Sequence, residues 1–133
     1  MSGITPITPT SFIQTQNGKQ FYFFSGAVGV DDNDTTLIDI ANIGEHDTLI
    51  TFNCGSKETS GDDITMIVKN DGIEVFEDWI GQRPANNGNN NTGPYHFTLL
   101  IPANTSLLVT LYNMSSSTAR EWFIAGHGKY LSI

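Results

Sequence analysis

The sequence predicts an all-β protein, an antiparallel two-sheet β-sandwich that is jelly-roll-like and carries an extended N-terminal arm. Short runs rich in β-branched and aromatic residues alternate between apolar and polar positions with a period of two. Clusters of Gly, Asn, Asp, Ser and Pro separate these runs at regular spacing. No segment repeats apolar residues at i, i+3, i+4 and i+7 over three turns, so helix content should be small. Roughly eight or nine short strands in one chain fit two packed sheets.

The first 18 residues form the predicted arm, and residues 19–133 form a single predicted β-sandwich domain. The arm has no charged side chain, and its Thr-Pro pairs favour extended backbone because a residue before proline avoids the helical region. We expect the arm to lie on another surface, such as a neighbouring subunit, because a solvated tail has no need of its apolar residues. The alternative is a frayed terminus. The apolar residues are Ile4, Ile7, Phe12 and Ile13.

Five short β-runs occupy the first half of the domain. They are Gln20–Phe24, Ala27–Val30, Thr36–Ala41, Thr48–Cys54 and Ile64–Lys69. In the fourth strand, Ile50, Phe52 and Cys54 share one face, which predicts a buried side. Cys54 is therefore interpreted as a small buried hydrophobe rather than a reactive thiolate.

The second half of the domain begins with the strongest hairpin signal in the chain. Asp71-Gly72 readily takes the positive φ of a tight turn, and it leads into a return strand. A long neutral loop rich in Asn occupies residues 81–94. The strands predicted here are Ile73–Trp79, Tyr95–Ile101, Ser106–Tyr112, Trp122–Ala125 and Tyr130–Ile133.

Composition excludes several classes of function. With 14 acidic and 6 basic side chains, the chain has a net charge of −8, which argues against binding of phosphate backbones or anionic membranes. No segment approaches the roughly 20 apolar residues of a membrane helix. The first ten residues lack the basic and apolar regions of a signal peptide, and Cys54 is alone, so we expect folding in a reducing cytosol.

No motif predicts an enzyme, a cofactor or a metal site. His46, His96 and His127 lie far apart without the spacing of a zinc site. The acidic loop at residues 31–34 resembles a calcium site only in composition, because it lacks the ligand spacing of an EF-hand. There is no nucleophile elbow, and the sequence does not place a pair of catalytic carboxylates.

Three aromatic residues are candidates for contact with a partner, namely Trp79, Tyr95 and Trp122. Such rings stack on sugars in carbohydrate-binding sandwiches. The alternative, which we favour, is that they fill the core or a subunit contact, since both bury aromatic side chains.

Three segments resemble small jelly-roll virion proteins of tailed phages, the capsid decoration or cement proteins and related head and tail modules. The segments are residues 36–44, 70–73 and 95–107. Similarity in the amino-acid sequence itself is confined to Leu-Ile-Pro-Ala-Asn-Thr-Ser-Leu at residues 100–107. In the spacing of the predicted strands, the resemblance covers residues 20–133. It implies a protein that binds and reinforces a capsid lattice, commonly as a trimer, with an extended arm that reaches a neighbour.

The predicted function is therefore that of a structural virion protein, made in the host cytoplasm and incorporated into the virion. Its expected partners are the major capsid protein or other virion subunits, and a homo-oligomer, with a trimer favoured. The alternatives are a carbohydrate-binding β-sandwich module and a phage tail or fibre component. A small β-sandwich enzyme ranks last. The low charge of the arm and of the 81–94 loop makes both of them contact candidates.

Overall fold

The computed structural model describes residues 5–6, 13–17, 20–56, 64–79, 95–114 and 118–131, which form strands without any helix. Among these residues, therefore, no helix is long and apolar enough to cross a membrane. The strands are β1 (Thr5–Pro6), β2 (Ile13–Asn17), β3 (Gln20–Phe24), β4 (Val28–Val30), β5 (Thr35–Asn42), β6 (Thr48–Ser56), β7 (Ile64–Asn70), β8 (Ile73–Trp79), β9 (Tyr95–Ile101), β10 (Leu107–Asn113) and β11 (Arg120–Tyr130). The predicted all-β architecture is confirmed.

Two antiparallel sheets make up the sandwich, as predicted. The first sheet has the order β1-β5-β10-β7-β8, and the second has the order β2-β3-β11-β6-β9, with β4 paired to the start of β11. From β5 onward every connection crosses to the other sheet except the β7–β8 hairpin. At that hairpin Asp71 and Gly72 have φ values of 50° and 79°, the positive values expected for Asp-Gly in a tight turn.

Two segments of the predicted arm form strands of the sandwich itself. Strand β1 pairs with β5, with Pro6 opposite Ile40, and β2 pairs with β3, with Ile13 opposite Phe24. Each segment adds an outer strand to one sheet of its own domain. The sequence does not signal these strands, because β2 reads Ile-Gln-Thr-Gln-Asn and has no apolar alternation.

The core lies between the inward faces of the two sheets. The predicted buried face of β6 is confirmed, since Ile50, Phe52 and Cys54 are all fully buried. Across the core from β6, the sulfur of Met66 on β7 lies 3.7 Å from the Cys54 Sγ, which joins the two sheets at this point. Burial raises the pKa of the Cys54 thiol to about 12, so the thiol stays protonated and packs as an apolar group.

The end of the chain differs from the prediction, because β11 is one strand of 11 residues rather than two strands broken near Gly126. This glycine does not make a turn. The ring of Phe23, on the neighbouring β3, lies over it, and a Cβ at Gly126 would come within 2.1 Å of the Phe23 Cζ. The glycine therefore provides space for an aromatic ring in the middle of the second sheet, a role that glycine has at close approaches within strands.

Candidate interaction surfaces

Strands β8 and β9 end the two sheets on the same side of the sandwich. A stack of three phenylalanine rings connects them. The ring of Phe76 on β8 stacks on Phe97 of β9, with centroids 4.4 Å apart, and Phe97 stacks on Phe52 of β6 at 4.7 Å. Phe76 and Phe97 are half-buried, so this stack closes the core where the sheets meet.

The edge strand β8 is acidic and irregular. Phe76 lies opposite Val68 and Glu74 lies opposite Lys69, so Val75 is an extra residue that forms a β-bulge. The strand also carries three carboxylates, those of Glu74, Glu77 and Asp78. Bulges and charges are two of the features by which proteins discourage another chain from pairing with a sheet edge. Strand β8 has both.

The edge strand β9 has neither feature. All seven of its residues pair in succession with Thr48–Cys54 of β6, without any shift in register. None of the seven is acidic or a lysine or arginine, and Leu100 is 55% exposed. Within the described residues, no strand pairs with the second edge of β9. A regular, uncharged edge of this kind is a site for the addition of another strand.

The outer face of the second sheet is the other distinctive surface. Antiparallel pairing across β3, β11, β6 and β9 places its side chains in rows. One row is Gln20, Lys129, Leu49 and Leu100, and the next is Tyr22, His127, Thr51 and Thr98. Neither row contains an acidic residue, although the chain carries a net charge of −8. The acidic β8 and this face therefore differ in charge as well as in position.

A depression of about 260 Å³ opens on this outer face, above the backbone of Gly128. The phenol of Tyr22 is 47% exposed there, and its hydroxyl donates a hydrogen bond of 3.0 Å to the Gln20 Oε1. Its ring centroid lies 6.5 Å from that of His127. The side chains that line the depression are those of Gln20, Tyr22, Leu49, Thr51, His127 and Lys129.

The residues predicted to contact partners have different positions. Trp122 is 6% exposed and belongs to the hydrophobic core, so its ring offers no face to a sugar. Ile4, Ile7 and Phe12 lie outside the described residues. Ile13, Trp79 and Tyr95 lie in β2, β8 and β9, and the structure describes their backbone only.

Sequence reasoning missed the residues that define these surfaces, Tyr22 and Leu100. Tyr22 stood within a dense aromatic run, in which the period of two distinguishes it from the buried Phe23. That alternation was the signal that would have found it. Leu100 gave no comparable signal, because its exposure follows from the position of β9 at the end of a sheet.

The structure shows where the potential metal-ligating side chains lie. Among the described residues, no group of three or more His, Cys, Asp or Glu side chains converges. His96 contacts the amide oxygen of Asn53, and His127 lies on another strand. In the acidic loop, the Asp31 carboxylate accepts a hydrogen bond of 2.9 Å from the backbone N–H of Asn33, which forms a local turn.

Comparison with known proteins finds no matching family model and no matching curated protein. Solved structures do show similarity. A structure of Bacillus endospore appendages, described as disulfide-linked pili, matches 94% of this chain and 93% of its own chain, with a TM-score of 0.53 and 12% identity. The insecticidal delta-endotoxin Cry8Ea1 from Bacillus thuringiensis matches 80% of this chain and 19% of its own, with a TM-score of 0.47 and 11% identity.

The VP2 subviral particle of infectious bursal disease virus matches 90% of this chain and 32% of its own, with a TM-score of 0.43 and 16% identity. At such low identities a structural match establishes the fold and nothing further. The endospore appendage comparison therefore shows that the β-sandwich, with almost its whole length, is shared with another protein. Function must be argued from the surfaces of this chain.

Proposed function

We propose that the chain is a structural subunit of a virion or surface assembly, and that it joins neighbouring subunits through the open edge of β9. In its most specific form, the proposal is a phage capsid decoration protein that binds the major capsid protein and itself forms a closed oligomer, such as a trimer. The proposal assigns no chemical reaction and no cofactor to the chain.

The observation that carries this proposal is the contrast between a regular, uncharged β9 and an acidic, bulged β8. A strand that adds to a sheet edge satisfies main-chain N–H and C=O groups along its whole length, and this gives affinity without a deep pocket. Leu100, exposed on the outer face of the same strand, adds apolar area to such a contact. Repetition of one contact over many identical sites then strengthens the assembly through multivalency.

An assembly role is also in keeping with the description of the endospore appendages, which share this fold, as pili. Their description includes disulfide linkage. In this sequence Cys54 is the one cysteine and is fully buried against Met66, so we propose non-covalent association for this chain. The net charge of −8 would keep free subunits apart until edge pairing outweighs repulsion.

The test introduces one lysine on each edge and compares their effects. Leu100→Lys places a charge on β9, where lysine discourages pairing, and Val75→Lys places the same charge on β8. The two positions are well matched, since Leu100 is 55% and Val75 is 48% exposed. Light scattering after size-exclusion chromatography, over a range of protein concentrations, measures the assembly state of each variant.

We expect the unmodified chain to form a closed oligomer, Leu100→Lys to be monomeric and Val75→Lys to assemble normally. Thermal denaturation is a control for folding, because both substitutions are at exposed sites and should change the stability of the monomer little. Equal loss of assembly in both variants would place the contact elsewhere. An unmodified chain that is monomeric at every concentration and binds no capsid would overturn the proposal.

A further inference from the structure

We propose that the depression on the outer face of the second sheet binds a sugar that carries a carboxylate, such as a uronic acid unit of a surface polysaccharide. This would give the assembly subunit a second function, adhesion to a glycan. The site is separate from the β9 edge proposed above, because its side chains project from the face of the sheet rather than pair along its edge.

The shape and chemistry of the depression suit one pyranose ring. The exposed phenol of Tyr22 provides a rigid apolar surface on which the C–H groups of a sugar can lie. Polar side chains surround it on three neighbouring strands, with Gln20 on the same strand as Tyr22, Thr51 on β6 and His127 on β11. A volume of about 260 Å³ is below the usual range for drug-sized ligands, which favours a small ligand unit.

The positive charge of Lys129 favours a sugar with a carboxylate over a neutral sugar. Lys129 lines the depression, and the two rows of side chains that cross it contain no Asp or Glu. The described part of the chain has few basic residues, namely Lys69, Arg120 and Lys129, so a lysine here stands out against the acidic remainder. Among the described residues, Lys129 forms no ion pair. An anionic ligand would therefore meet its counter-charge in the depression itself.

A nucleic acid would also offer rings and negative charge, but the surface suits it less. Binding of single strands requires a basic groove that follows several phosphates, together with aromatic residues for successive bases. Here a single lysine lines the depression, and its lining has no row of basic side chains that could follow successive phosphates. One carboxylate on each sugar unit fits one lysine better.

The test is a titration of the full-length protein, labelled with ¹⁵N, with sodium glucuronate and separately with glucose. Amide shifts of the residues around Tyr22 and His127 report binding. We expect a glucuronate Kd on the order of 1 mM, and binding about fivefold tighter than that of glucose, which corresponds to one exposed ion pair. Tyr22→Ala should weaken both ligands about tenfold through loss of the ring surface. Lys129→Gln should remove the preference for glucuronate and keep the glucose affinity.

Phe24→Ala is the matched control. Phe24 lies on the same strand and the same outer face, is 39% exposed and packs near Phe123, outside the depression. We expect its glucuronate affinity to equal that of the unmodified chain. The proposal is overturned if neither sugar shifts these amides at tens of millimolar, if Tyr22→Ala and Phe24→Ala behave alike, or if a single-stranded oligonucleotide binds the depression where glucuronate does not.

These outcomes separate the adhesion proposal from the assembly proposal. The same titration on Leu100→Lys should retain glucuronate binding and leave the glucose affinity unchanged, because Leu100 does not line the depression and a lysine in its row adds only positive charge. Loss of assembly with retained sugar binding would support both proposals. Normal assembly of Leu100→Lys with retained sugar binding would overturn only the first.

Discussion

The two edge strands β8 and β9 have the same length and end their sheets on the same side of one sandwich, but their chemistry is opposite. Strand β8 has a bulge at Val75 and three carboxylates, whereas β9 keeps perfect register with β6 and has no acidic residue, lysine or arginine. If charged edge residues served solubility alone, we would expect them on both edge strands. Within the described part of the chain, β8 alone of these two edges carries features that discourage pairing, and this is why we propose β9 as the contact.

The largest expected effect of a single substitution comes from the ring that holds β9 against the core. Phe97 stacks on both Phe52 and Phe76, so Phe97→Ala removes two ring contacts and opens space between the sheets. We expect a loss of about 3 kcal/mol in the free energy of unfolding, the lower end for a buried phenylalanine, because Phe97 is half-buried. Urea denaturation followed by circular dichroism measures it.

The control for this prediction is Phe76→Ala on the other edge. Its ring stacks on Phe97 and lies at the outer end of the stack, so its removal should cost less. If Phe76→Ala destabilised the protein as much as Phe97→Ala, the position of Phe76 at the outer end of the stack would not reduce its contribution to stability, and the prediction would be wrong.

A smaller effect should follow from neutralising the acidic edge. The Leu100→Lys variant serves as the background, because its lysine prevents pairing at the β9 edge. In this variant, Glu74→Gln and Glu77→Gln remove two carboxylates from β8. We expect a gain in association of no more than about tenfold, or about 1.4 kcal/mol, because the bulge at Val75 still disrupts pairing. Sedimentation velocity measures the dimer fraction. Full recovery of assembly would show that charge alone protects β8.

Residue alternation gave most of the architecture. In β6, the period of two identified Ile50, Phe52 and Cys54 as buried, and Asp71-Gly72 located its hairpin, because both signals are local. The failure at Gly126 had a different origin. A glycine within a strand reads as a break unless the ring above it is known, and Phe23 lies about a hundred residues away along the chain.

The surfaces could not be predicted in the same way. An exposed Leu100 looks like any other strand residue until the order of strands shows that β9 lies at an edge. Alternation marks Tyr22 as outward, but it does not show which side chains share its row. Trp122 shows the limit for aromatic residues: its character left a contact position and the favoured core or subunit-contact position open, and only its inward place in β11 shows that it lies in the core. Strand order depends on contacts between distant segments, and a single sequence does not show them.

The smallest expected effect near neutral pH concerns Cys54, which pairs with Tyr95 of β9 and therefore reports on the β9 edge. A disulfide reagent at pH 8 should modify this thiol only as fast as the protein unfolds, because the side chain is fully buried. Reaction much faster than global unfolding would mean that β9 opens locally.

Burial raises the pKa of the Cys54 thiol from 9.0 to about 12, so the unfolded chain releases the thiol proton at lower pH than the folded chain does. The contribution of Cys54 to stability is therefore constant below pH 9 and falls as the pH rises toward 12. Cys54→Ala should remove this part of the fall and leave the part due to Tyr130, whose pKa is also raised by burial.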